Sequence, residues 1–354
     1  MAKSRQQIRD EMTGLLLRGG LIGVIAFAAA VAFMVIPIQI GKIWPTTSIQ
    51  TGYRGTGMDV IRFDTQIAAT VAANTPPVLG APIPPEAGAP LAGDAYPFAE
   101  AAGVGNLTVA NFDRLNAAIA VWVAPEAAFG ASDGYLQAIS VRHLEMTRAI
   151  NDEWDAHVGP TGVNCYTCHR GESVPLDTWF SPEPLNNWAG PNAMFQNQAT
   201  AMNYSTALPV DAMQTYLLET EQLVGVNGYD SRNTTGEPGA SIYHTYQTFS
   251  LMQHFANSLG VNCTYCHNTR SIADPAGFTP QWASAQIGRA MTQDINNTWI
   301  VPDLELLPPE RLGPLGDPAK VNCATCHLGA PQTFNGESAV VDFPELVSAE
   351  PVYE

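Results

Sequence analysis

The sequence predicts a mainly α protein with much irregular coil, built from two related halves and preceded by one membrane-spanning helix. Three observations carry that expectation. An apolar run near the N-terminus is long enough to cross a bilayer. Two stretches of helical periodicity, 136–169 and 243–267, each lead through Gly-Val-Asn into the same cysteine motif. A shorter repeat, MTRAINDEW at 146–154 and MTQDINNTW at 291–299, keeps five of nine residues. Duplication of one helix-and-motif unit is the simplest account, with halves of about 105–225 and 226–354.

The run LIGVIAFAAAVAFMVIPIQI, residues 21–40, matches the ~20 apolar residues that a spanning helix needs. Lys3, Arg5, Arg9 and Arg18 precede it, which assigns residues 1–20 to the cytoplasmic side and the bulk of the chain to the other. A cleaved signal peptide is the alternative, but the run is long for one. Residues 41–75 are rich in Gly and Thr and read as extended chain. NTPPVLGAPIPPEAGAPLAGDAYP (74–97) has no helical period, so 41–104 reads as a semi-rigid strap. Asn106-Leu-Thr108 offers a helix cap before VANFDRLNAAIAVWVAP. A second helix is expected from about Gly134 to Ala156, ended by Gly159-Pro160, and a third over 241–258, ended at Leu259-Gly260. Residues 172–235 carry little regular signal beyond 211–222, and 301–354 read as irregular.

All six cysteines fall in three C-x-x-C-H motifs: Cys165/Cys168/His169, Cys263/Cys266/His267 and Cys323/Cys326/His327, each preceded by Val-Asn. A single C-x-x-C would also fit a redox pair or half a zinc site. Three copies, each followed by His with no cysteine left over, point instead to three covalently bound haem c groups. That attachment occurs outside the cytoplasm, in agreement with the anchor. Without the charges flanking the anchor, eleven basic residues face thirty-one acidic ones, near −20 for the exported part. Such acidity speaks against nucleic acid. It suits a basic protein partner steered by charge, and equally an acidic surface that is merely soluble.

Each motif histidine supplies one axial ligand to its own iron, and the other ligand decides function: closed irons carry electrons, open ones catalyse. Upstream of Cys263, the helix offers His244, Met252 and His254. Met252, eleven residues before Cys263, is preferred, and His254 reads as an exposed or hydrogen-bonding histidine. PDLELLPPERLGPLGDPAK, before Cys323, contains neither His nor Met. Before Cys165, Ile139, His143, Met146, Ile150, Trp154 and His157 form one helical stripe. Fourteen residues of helix separate His143 from His157 by about 21 Å. They cannot share an iron, so one of them is sent across to the ligand-poor haem at His327, unless it is a hydrogen-bonded core histidine.

The chain resembles the membrane-bound cytochrome c subunit of purple bacterial photosynthetic reaction centres. The likeness runs through TGYRGTGM (51–58), GNLTVANFDRL (105–115), LEMTRAINDEWDAHVGPTGVNCYTCHRG (144–171), SLGVNCTYCHN (258–268) and NCATCHLG (322–329). It implies an electron-transfer subunit with no bond chemistry of its own, seated on the periplasmic face of the photosynthetic inner membrane. Its implied partners are the L and M core subunits with their bacteriochlorophyll special pair, the light-harvesting 1 ring, and a soluble cytochrome c or high-potential iron–sulfur donor. The resemblance makes His157 the second ligand of the haem at His327, and Met252 that of the haem at His267.

Two departures from the family pattern stand out. The stretch EAAFGASDG (126–134) has neither Cys nor His where a first haem motif is expected, and the family's ligand methionine corresponds to Asn116, so three haems are expected in place of four. His143 stands where the family has its ligand methionine, which would make the haem at His169 His/His as well, with Met146 as the alternative. By the same resemblance the haem at His267 lies nearest the special pair, that at His327 in the middle and that at His169 outermost. The rival readings are a haem reductase with an open iron and a membrane-anchored multihaem quinol dehydrogenase.

Overall fold

The computed structural model describes residues 3–52, 57–79, 88–92, 97–131, 134–183, 195, 199–219, 224, 242–270, 272 and 274–348. The 225/226 division between the expected halves and part of the 74–97 strap fall outside those residues. Helix α1 (Arg5–Ile43) begins well before the apolar run, and an 18-residue window within its segment Arg5–Ile36 has a mean hydropathy of 2.5 with no buried share. It is long and apolar enough to cross a membrane. It belongs to a first compact unit, Met1–Ile49 with Ile61–Ala68; the second unit comprises Gln50–Val60 and Ala69–Glu354.

The extended chain expected over 41–75 holds in two strands and is corrected at 64–73. Two strands, β1 (Thr46–Thr51) and β2 (Met58–Phe63), form a two-stranded sheet, and α2 (Asp64–Ala73) is helical. The helix follows from its composition: Asp64 occupies the first turn and the rest is rich in alanine, the best helix former.

Three helices build the next stretch: α3 (Pro97–Ala101), α4 (Val109–Trp122) and α5 (Tyr135–Glu153). Thr108 caps α4 as expected, its side chain accepting from the Asn111 N–H. Phe112, Leu115, Ile119 and Trp122 recur at helical spacing, and all are under 5 % exposed. They bury into one core with Val104, Phe129, Leu144, Phe343 and Leu346. At roughly 1.5–3 kcal/mol per large side chain, this cluster fixes α4 against the C-terminal segment.

The helix expected to reach Ala156 stops at Glu153. Trp154 leaves helical geometry (φ −116, ψ 26) and a separate turn, α6 (Asp155–Val158), follows. His143 and His157 therefore do not share one continuous stripe. Further along come α7 (Cys165–His169), α8 (Ala212–Leu217), α9 (Ile242–Leu259), α10 (Pro280–Asp294) and α11 (Cys323–His327). α9 ends at Leu259-Gly260 as expected, with Gly260 at φ 64. α10 passes into a π-helix, Ile295–Ile300, then a 3₁₀ turn, Pro302–Glu305. Thus both copies of the MT-x-x-IN-x-x-W repeat end in a break from α geometry, one at Trp154 and one through Trp299. Apart from α11, residues 301–348 are short turns and irregular chain, as expected.

Candidate haem sites

The asparagine before each motif starts the turn that presents it. Asn164 accepts from the Thr167 N–H, Asn262 from that of Thr264, and Asn322 from those of Ala324 and Thr325. In the first and third motifs a threonine at the third helical position completes a reciprocal capping box, and the result is an α-turn. In the second motif the order is Thr264-Tyr265, so threonine falls one position early and the turn is 3₁₀, Cys263–Tyr265. Gly52 and Met58 pin this motif from outside. Met58 N–H donates to Thr264 Oγ1 (2.8 Å), Asn262 Nδ2 donates to the Met58 carbonyl (2.6 Å), and a Cβ on Gly52 would strike the Thr264 carbonyl.

The two α-turn motifs hold their histidines alike. His169 Nδ1–H donates to the Glu172 carbonyl and His327 Nδ1–H to the Ala330 carbonyl, both at 2.9 Å, which leaves each Nε2 for a metal. His267 differs. Its Nδ1 is buried with no hydrogen bond of normal geometry among the described residues, the Ile272 backbone being the group that draws on it, and its ring packs edge-on to Phe278 at 4.5 Å.

The spare histidines face separate partners. The rings of His143 and His169 lie 6.1 Å apart between centroids, and those of His157 and His327 also lie 6.1 Å apart. Metal–imidazole bonds of about 2 Å on either side of one iron separate ring centres by about 6 Å once the ring radii are added. Both pairs therefore fit a bis-imidazole iron. His157 Nδ1–H donates to the Ser284 carbonyl on α10 (3.0 Å). Its ring lies directly over Gly288, where a Cβ would stand 2.7 Å from Nε2. His143 is held otherwise: its Nε2–H donates to Asp303 Oδ2 at 3.0 Å.

Burial favours the neutral, metal-binding form of His157, His169 and His327. It pushes His169 down to about 4, with His143 beside it adding to the effect, and His327 down to about 4, with His157 adding likewise. His157 is lowered too, against the pull of the Ser284 carbonyl. Burial also pushes the Cys165 and Cys323 thiols up to about 12, so neither is a ready thiolate.

The remaining candidates settle as follows. Met146 packs beside the apolar cluster of Ile150, Met291, Ile295 and Val321. Met252 lies on α9, half-buried beside the cluster of Trp179, Met213, Tyr216 and Leu251, and no hydrogen bond joins it to His267 among the described residues. His254 is not exposed. It is 2 % accessible, bonded to Tyr204 Oη at 3.0 Å, and accepts the Cys323 N–H at 3.3 Å. Asn116 clamps Phe129, accepting its N–H (2.6 Å) and donating to its carbonyl (3.1 Å). The chain at Phe129 is thus tied to α4 by Asn116.

The motifs are also placed relative to one another. Cys168 Sγ and Cys326 Sγ are 3.0 Å apart, and Arg170 Nη2 donates to the Cys326 carbonyl at 2.8 Å. α11 packs against both α7 and α9, so the third motif lies between the first and the helix that leads into the second.

The family profile described as photosynthetic reaction centre cytochrome C subunit matches residues 42–347. The chain belongs to the photosynthetic reaction centre cytochrome c subunit family. The photosynthetic reaction center cytochrome c subunit of Roseobacter denitrificans is 40% identical over 356 residues, 95% of this chain and 94% of its own. That of Rubrivivax gelatinosus is 40% identical over 320 residues, covering 86% and 84%. That of Thermochromatium tepidum is 33% identical over 311 residues, covering 85% and 75%. A cytochrome c subunit carries covalently bound haem c, and the chain is a photosynthetic electron carrier. Asp303, Ser284 and Gly288 are site components that counting His and Met in the sequence could not find, because none of them is a haem ligand type.

Proposed function

We propose that this chain carries three haem c groups on the periplasmic face of a bacterial photosynthetic membrane. It passes electrons from a soluble cytochrome c or high-potential iron–sulfur protein to the photo-oxidised bacteriochlorophyll special pair of the L and M core. Helix α1 anchors it in a single pass, next to the light-harvesting 1 ring. Cys165 and Cys168, Cys263 and Cys266, and Cys323 and Cys326 hold the haems. The axial pairs are His143/His169, Met252/His267 and His157/His327. Reversible one-electron exchange is the chemistry that these groups supply when bound. The chain's own residues ligate them, exclude water and hold each imidazole in one tautomer.

The observation that carries this reading is the double pairing of His143 with His169 and His157 with His327, each at the spacing of one shared iron. The third motif's place between α7 and α9 supports the order His267 site innermost, His327 site central, His169 site outermost. A redox titration of wild type and His143→Met, followed at the haem α-bands, tests it. A thioether raises haem potential relative to imidazole, so one of three midpoints should rise. If every potential stays where it was, His143 is not a ligand.

A further inference from the structure

His143 differs from the other paired histidines in its second hydrogen bond. His157, His169 and His327 each donate Nδ1–H to a backbone carbonyl. His143 meets a carboxylate, Asp303 Oδ2, through Nε2. A carboxylate only accepts, so the proton is on Nε2 and the nitrogen left for a metal is Nδ1. Asp303 is itself immobilised: it is 2 % exposed, and its Oδ1 accepts from Arg142 Nε at 2.6 Å. Arg142 also donates through Nη2 to the Thr298 and Trp299 carbonyls at the end of the π-helix, and lies over the Trp299 ring.

The internal repeat explains how this acid arrives. After Trp154, the first copy delivers His157 to α10 in the second half. After Trp299, the second copy delivers Asp303 to α5 in the first. We propose that Asp303 is the positioning residue of His143: it fixes the ring so that Nδ1 faces the iron, and the charged acceptor makes this imidazole a stronger donor than His157. The inference rests on His143 being a ligand. A more basic ligand stabilises the oxidised iron, so the haem between His143 and His169 titrates at lower potential than it would with a neutral acceptor.

Asp303→Asn tests this with little risk to folding, since Arg142 keeps both backbone acceptors while the amide carries no charge. One midpoint potential of the holoprotein should rise and the other two stay fixed. In parallel, wild type grown on histidine labelled with ¹⁵N at Nδ1 should show, by pulsed hyperfine spectroscopy, one directly coordinated ¹⁵N among the oxidised haems. If Asp303→Asn shifts no potential while His143→Met shifts one, the ligand assignment stands and the role of Asp303 is overturned. The absence of any directly coordinated labelled nitrogen overturns it too. If His143→Met also shifts nothing, the ligand assignment and this inference fall together.

Discussion

At the residue scale, what each spare histidine does is decided by the atom that holds its far nitrogen. His157 is oriented by a backbone carbonyl on α10 and by the bare surface at Gly288, where no side chain intervenes. Gly288→Ala would force the ring away from His327. Overpacking of this kind costs about 1–3 kcal/mol, so the melting temperature of the holoprotein should fall by a few degrees. One bis-imidazole signal should weaken in the low-spin spectrum. A variant with wild-type melting and an unaltered spectrum would show that α10 does not set the position of His157. The residues proposed as ligands could be picked out in the sequence, because the spacing of cysteine and histidine announces their chemistry. Asp303 was not, since an aspartate in a Pro-rich stretch has no spacing signature until the chain folds it onto α5.

At the element scale, local rules predicted α1, α4, α5 and α9 and misjudged where α5 stops. Thr108 before α4 and Gly260 after α9 act as read, because capping depends only on neighbouring residues. The break at Trp154 was missed because the apolar period runs straight through it. What ends the helix is tertiary: Trp154 Nε1 donates to Asp294 Oδ2 (3.2 Å) at the end of α10. The entry to the third motif is held by a similar long-range device. Trp179 and Lys320 exchange both backbone hydrogen bonds, and the Lys320 ammonium, 1 % exposed, pairs with Asp317 and lies over the Trp179 ring. Asp317→Asn would strand a buried ammonium, a loss of about 3–5 kcal/mol. Burial raises the Asp317 pKa, but Lys320 and the Ser181 N–H outweigh it and hold the carboxyl below its ordinary value. Its contribution is therefore fully present above the unfolded value near ~3.9 and lost as pH falls below it. Acid unfolding of wild type should be steeper in that range than that of Asp317→Asn, and parallel curves would rule the pair out as an acid-sensitive contact.

At the scale of the whole molecule, the repeat folds so that each half completes the other's site: His157 of the first half faces His327, and Asp303 of the second holds His143. The repeat itself, MTRAINDEW and MTQDINNTW, is readable in the sequence, but the exchange across it depends on packing that no linear pattern encodes. The loop that lacks a motif is closed by Asn116 on Phe129 and by the aromatic core around Phe112 and Trp122. Apolar packing therefore fills this region, in keeping with the three irons proposed above, two held by paired imidazoles and one by Met252. The most direct measurement combines haem quantification per chain with low-temperature magnetic circular dichroism of the fully oxidised protein. The account predicts three low-spin haems, two with bis-imidazole signatures and one with a methionine–iron charge-transfer band. Two methionine-ligated haems, or any high-spin iron, would contradict it.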